Sequence, residues 1–250
     1  MSMTGLTLAA VLGAQVAPVL HCLRTNGDGS EQERVVVYVE SPERVHVFKG
    51  RDRCTNAAYV TGTLDPRNGQ AVSLVGGRLT RERTQEPFAW LSRSAGQITA
   101  RLGKSDAPPM FEVASRPDWF MYDFDFSDWV ANPPPAIRAG ADHASEMVLI
   151  LMADDGPTMT NRGLLELTYG GTGSGSDGAF FYYRASGPAL DGKEGEMWFA
   201  AADGRLLAAR LPLANHAEYR DFAYRLVKRE EGEAAWQAVL ADHWRGCPAD

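Results

Sequence analysis

From Arg34 onward the chain consists of short runs in which apolar and polar residues alternate, with turn residues recurring at about 8 to 14 positions. A period of two sends successive side chains to opposite faces of a strand, so the repetition predicts an antiparallel meander. Arg34 to Val39 and Arg44 to Phe48 flank Glu40-Ser41-Pro42-Glu43 and form a predicted hairpin. Tyr59 to Leu64 and Ala71 to Leu79 form the best-marked one. They are joined by Asp65-Pro66-Arg67-Asn68-Gly69, where proline presets φ and Asn-Gly accepts positive φ. Phe88 to Ser92 and Gln97 to Leu102 repeat the pattern around Ser94-Ala95-Gly96.

The alternation in Trp119 to Phe126 predicts a strand with Phe120, Tyr122, Phe124 and Phe126 on one face and Asp123 and Asp125 on a solvated face. Asn132-Pro133-Pro134-Pro135 then interrupts regular structure, because proline lacks an N–H and restricts the residue before it. Further strands are predicted over Met147 to Met152, Leu164 to Tyr169, Ala179 to Arg184, Glu196 to Ala200 and Leu206 to Leu211. The uniformly apolar Met147 to Met152 is expected to be central. Tyr219 to Arg229 reads as a strand, although Asn215 and Glu218 resemble a helix capping box. Glu233 to Trp244 sets Trp236, Val239, Leu240 and His243 at helical spacing and predicts a helix packed on the sheet. The fold class is therefore mainly β with minor α, and residues 23–250 form one domain, a size that all-β folds reach as a single unit.

Before that domain the chain carries no charged side chain from Met1 to Leu23, and Leu6 to Leu20 is almost wholly apolar. Residues 1–22 are read as a signal segment or an N-terminal apolar helix. The first reading predicts a periplasmic or secreted protein, the second a cytoplasmic one. Downstream, no run of roughly 18 or more apolar residues offers a membrane span. A net charge of −7 provides no basic stripe for phosphates, so nucleic acid is not an expected partner. Cys22, Cys54 and Cys247 lie in no metal-binding spacing, so no metal site is expected; in an exported protein any two of them could form a disulfide.

Gly173-Ser174-Gly175-Ser176-Asp177-Gly178 matches the spacing of a dinucleotide-binding turn, but the following Ala179-Phe180-Phe181-Tyr182-Tyr183 is strand-like where that motif requires a helix. The segment is read as a loop between strands, with no cofactor. Asp123, Asp125 and Asp128 lack the glycine and glutamate of a calcium loop. No nucleophile elbow, phosphate loop or zinc-protease helix motif is present, so no catalytic residue is assigned and the reading leans away from an enzyme. The aromatic face of Phe120, Tyr122, Phe124 and Phe126, with Phe180, Tyr182 and Trp198 on other strands, is suited either to core packing or to lining a hydrophobic cavity.

Gly192-Lys193-Glu194-Gly195-Glu196-Met197-Trp198-Phe199, with Ala202-Asp203-Gly204-Arg205-Leu206-Leu207 and Leu211-Pro212 after it, resembles part of a known family. The stretch, about a quarter of the chain, is similar to bacterial envelope half-barrels of the outer-membrane lipoprotein carrier and sorting type. The resemblance implies a strongly curved antiparallel sheet, helices over its concave side, and binding of an acyl chain or other hydrophobic ligand without chemistry. Trp198 and Leu207 are the positions that match. Two other readings stand beside this one: a hydrolase whose histidine and acidic groups meet only in the fold, and a structural or interaction module.

Overall fold

The strand that organises the protein is one the alternating pattern does not reveal. In a computed structural model describing residues 17–153, 156–176 and 178–248, β1 (Pro18–Thr25) is the eighth of fifteen strands in one continuous sheet. Residues 18–22, part of the stretch expected to be a signal segment or apolar helix, thus lie within the sheet. Residues 1–16 of that stretch lie outside the described residues.

From β1 one flank continues in chain order through β2 (Glu33–Ser41), β3 (Arg44–Gly50), β4 (Ala58–Leu64), β5 (Ala71–Leu79), β6 (Gln85–Ser94), β7 (Gln97–Leu102) and β8 (Phe111–Ala114). The other flank runs backward through the sequence. It comprises β15 (Phe222–Glu231), β14 (Leu206–Leu211), β13 (Gly195–Ala200), β12 (Gly178–Ser186), β11 (Gly156–Gly175), β10 (His143–Ala153) and the edge strand β9 (Trp119–Met121). All neighbours pair antiparallel except β9 and β10. The predicted hairpins are present, as β2–β3, β4–β5 and β6–β7.

The sheet curls without closing. Near the seam Asn161 of β11 donates its side-chain N–H to the Ala114 carbonyl of β8 (2.9 Å), and the Arg116 amide donates to Glu146 of β10 (2.5 Å). The concave face carries one core, in which Leu20, Val35, Val47 and Ile98 of the first flank join Met147, Leu165, Tyr183 and Phe199 of the second. On the outer face of β1–β5, a second cluster joins Val19, Val36, Tyr38 and Phe48 to Trp236, Val239 and Leu240 of the C-terminal helix, spanning Glu233–Trp244. The predicted helix thus covers the convex side. Beyond it Cys247 is disulfide-bonded to Cys54 in the β3–β4 connection, while Cys22 is free and buried.

Two expectations are corrected. The strand expected over Trp119 to Phe126 ends at Met121. Tyr122–Phe124 form a turn of 3₁₀ helix, Asp125 and Phe126 adopt positive φ (53° and 55°), and the helix α1 (Ser127–Ala131) follows. The chain here leaves the sheet and enters the concave space, where burial on all sides replaces alternation as the constraint. Asp125 is accordingly buried and Asp123 half-buried, not on a solvated strand face, and Asp128 in α1 is buried as well. Met147 to Met152, expected to be central, lies one strand from the edge. β9 pairs with β10 only over Glu146–Val148, and Met152 is 56% exposed.

The proline run does interrupt the chain, and Pro135 then opens the short helix α2 (Pro135–Arg138), a position where a missing N–H is harmless. This interior segment docks on the β4–β5 turn at Gly69. That residue has φ +76°, and a side chain there would strike the Asn132 carbonyl. The concave side thus holds α1 and α2 as a plug, while the longer helix lies outside.

Candidate functional site

The interior segment fills most of the concave space with its own aromatic rings. Phe120 stacks on Phe126 with centroids 5.1 Å apart and lies 4.7 Å from Trp129, and Tyr122 packs against Phe126 and Phe222. Phe120, Tyr122 and Phe126 are therefore core residues, and the Tyr122 hydroxyl donates to the Leu213 carbonyl (2.6 Å).

Beside the plug, toward the seam, a cavity of about 220 Å³ remains between the first flank and β10. Val60, Leu74, Trp90, Leu91, Phe124 and Ile150 supply apolar walls. Gly76 and Ala89 keep one wall low, since a Cβ at Gly76 would meet only Ala89. Phe88 (42% exposed) and Met152 (56% exposed) also line it, and both keep much of their surface in solvent. Lys49, Asp123 and His216 form its polar end.

That end is the outer layer of a buried charge network. Lys49 Nζ lies 2.6 Å from Asp125 Oδ2 and also donates to the Asp123 carbonyl. Arg24, fully buried on β1, lies 3.4 Å from Asp125 Oδ1 and donates to Glu33 (3.1 Å) and to the side-chain amide oxygen Oδ1 of Asn215. Its guanidinium sits 3.4 Å from the centroid of the Tyr219 ring. Asn215 donates in turn to the Tyr122 carbonyl (2.9 Å) and to Asp125 (2.7 Å). These bonds hold the left-handed Asp125 turn against the sheet and link β1, β3 and the 212–221 connection.

The same surroundings affect each acid differently. Burial alone raises the Asp125 carboxyl, but Lys49 and Arg24 overcome it and hold the group below its ordinary value. Asp123 is less well compensated: burial pushes it up to about 6 against the pull of Lys49. Burial, then the positive charge of Lys49, lowers the His216 imidazole to about 3, so it is neutral at physiological pH. Among the described residues, neither Asp123 Oδ1 nor His216 Nε2 has a hydrogen-bond partner, and both atoms are sealed from solvent.

Of the eight residues expected to line a cavity, only Phe124 lines this one. Strand register puts Tyr183, Met197 and Phe199 in the concave core, which turns Phe180, Tyr182 and Trp198 to the outer face. There Tyr182 and Trp198 lie 5.8 Å apart, and the Tyr182 hydroxyl donates to Glu196 (3.1 Å). Phe180 and Tyr182 lie over Gly173 and Gly170, whose missing side chains leave the space the rings occupy. Leu207 is the extra residue in a bulge of β14 opposite Trp198 and Phe199. The Gly/Ser segment expected to be a loop continues β11 and pairs with β12, Gly175 standing opposite Gly178.

Arg24, Lys49, Asn215 and His216 were not legible as site residues, because their partners are remote in sequence. The available signal was weaker: Arg24 is the first charge after a long apolar run, and Asp123 and Asp125 punctuate an aromatic one. Among the described residues no histidine is hydrogen-bonded to both a carboxylate and a serine or threonine. His143 contacts Ser145 (2.8 Å), His46 contacts Glu40 (2.8 Å) and Tyr59 (3.0 Å), and His21 pairs with Glu230 (2.7 Å). Nor do three metal-ligating side chains come together among those residues. No family model matches the chain, and no curated protein matches it in sequence.

Proposed function

We propose that this protein binds a hydrophobic ligand, without chemistry, inside its curved antiparallel sheet and that it works in the bacterial envelope. The observation that carries the reading is the apolar cavity beside the interior plug, where Phe88 and Met152 remain partly exposed. Exposed large apolar side chains at a concave site are what an entering apolar chain needs, and burial of its surface contributes about 25 cal/mol per Å² before ordering costs. The resemblance of the Gly192 to Pro212 region to lipoprotein carriers supports the same class of ligand. Export is supported by the apolar, uncharged sequence ahead of β1 and by the Cys54–Cys247 bond, a linkage typical of oxidising compartments.

Titration with octanol, small enough for a cavity of about 220 Å³ and followed by the fluorescence of Trp90 in its wall, tests this. Saturable binding at one site per chain is expected, with Gly76→Leu, which fills the low wall, weakening it at least ten-fold while the unfolding transition is retained. The absence of saturable binding by the wild-type chain overturns the proposal.

A further inference from the structure

On the convex side of β13 to β15, two adjoining grooves of about 390 and 430 Å³ share Gly27 and Arg210. Strand register explains why the sheet is hollow at the first of them. Trp198 stands opposite Ala208 and Ala208 opposite Arg225, while Arg210, two residues along β14 and on the same face, stands opposite Ala223. Two alanines therefore floor the first groove between longer side chains, and the turn through Gly27 and Gly29 forms its rim. No residue lines both this groove and the interior cavity.

The charge of the first groove is uncompensated. Arg210 and Arg225 are both exposed, and among the described residues neither makes an ion pair or a side-chain hydrogen bond. No carboxylate lines the groove, and Asp28 at the rim is engaged by Arg220. The second groove differs, since Glu194, Glu196 and Asp221 stand in its walls with Arg184 and Arg210. Two free guanidinium forks in a chain of net charge −7 favour an anion at the first groove. Glu196 stands opposite Arg210 in the register and offsets part of its charge, so a monoanion fits better than a phosphate dianion.

The remaining wall decides the body of the ligand. Trp198 is half-buried, and the Arg210 guanidinium carbon lies 6.0 Å from its ring centroid. A bare anion would leave the indole uncovered and most of about 390 Å³ unfilled, a volume within the roughly 300–1,000 Å³ of small-molecule sites. A flat ring stacks on an indole and on a guanidinium plane alike. One exposed ion pair contributes little, so binding requires the forks and the ring together. We infer that the first groove binds a small aromatic carboxylate, its carboxylate held between Arg210 and Arg225 above Ala208 and its ring against Trp198.

Isothermal titration calorimetry of the full chain at pH 7.5 with naphthoate, the corresponding neutral naphthamide and acetate provides the test. Naphthoate is expected to bind one site per chain at least ten-fold more tightly than naphthamide, which lacks the charge, or acetate, which lacks the ring. Arg225→Gln, a change at an exposed side chain, and Trp198→Ala should each weaken naphthoate at least five-fold with the unfolding transition retained. No saturable binding of naphthoate, or equal binding of the amide or of acetate, overturns the inference. Naphthoate affinity unchanged in both variants places the ligand elsewhere and overturns it as well. The wild-type comparison needs no variant, so poor folding of Trp198→Ala leaves the test decisive.

Discussion

Lys49 Nζ and Asp125 Oδ2 lie 2.6 Å apart with almost no access to solvent, one on β3 and the other on a left-handed turn inside the concave face of the sheet. The pair anchors the interior segment to the curved sheet, and Arg24 closes the other side of the same carboxylate. Removing one member strands a charge whose desolvation is no longer compensated. Asp125→Ala is expected to destabilise the fold by about 3–5 kcal/mol in urea unfolding, a large share of the roughly 5–15 kcal/mol typical of a folded domain. A loss below about 1 kcal/mol would show that the pair is not closed in solution.

Asp128 is a different kind of buried acid. One oxygen accepts the Trp129 amide (2.9 Å), and Oδ2 has no partner among the described residues; burial, against that bond, pushes the carboxyl up to about 7. The folded state therefore binds this proton more tightly than the unfolded chain does. The stabilisation is fully present below the unfolded carboxylate pKa of about 4 and is lost as pH rises through about 7. Asp123, pushed up to about 6, acts in the same direction. Asp128→Asn should flatten this decline, so that the variant gains on the wild type between pH 5 and pH 8. Parallel urea midpoints for the two proteins across that range would contradict the assignment.

The Cys54–Cys247 bond joins residues 193 positions apart and fastens the end of the C-terminal helix to the β3–β4 connection. His243 reinforces this contact, its ring nitrogen lying 2.8 Å from the Thr55 carbonyl. A crosslink across so long a segment restricts the unfolded chain, and its loss is expected to cost about 2–4 kcal/mol. Cys54→Ser and Cys247→Ser should each show this loss, and their double variant no more than either alone. Additive losses would mean that the cysteines act separately.

Trp198 distinguishes the cavity from the outer aromatic face as the place where a ligand binds. It sits on the convex side beside Tyr182, outside the walls that include Trp90 and Phe124. Trp198→Ala is expected to leave octanol affinity within two-fold, whereas Phe124→Ala changes it by more than five-fold. The opposite ranking would move the ligand to the outer face, where the resemblance to lipoprotein carriers marked Trp198 and Leu207.

The sequence by itself determined that the chain forms an antiparallel meander, where most of its hairpins turn, and that a helix ends the domain. These are local properties: a two-residue period, Pro and Asn-Gly at turns, and apolar spacing over Glu233–Trp244 are complete within a few neighbouring residues. Only the tertiary structure decided what the aromatic stretch after Trp119 does. Its alternation fits a strand, yet from Tyr122 onward the segment is enclosed on every side, so the backbone follows the shape of the interior and the contacts of Asp125, not the pleat of a sheet. The candidate site was hidden for a related reason. Lys49, Asp123 and His216 lie 74 and 93 residues apart along the chain, and each is an ordinary polar residue until the curl of fifteen strands brings all three to the end of one apolar cavity.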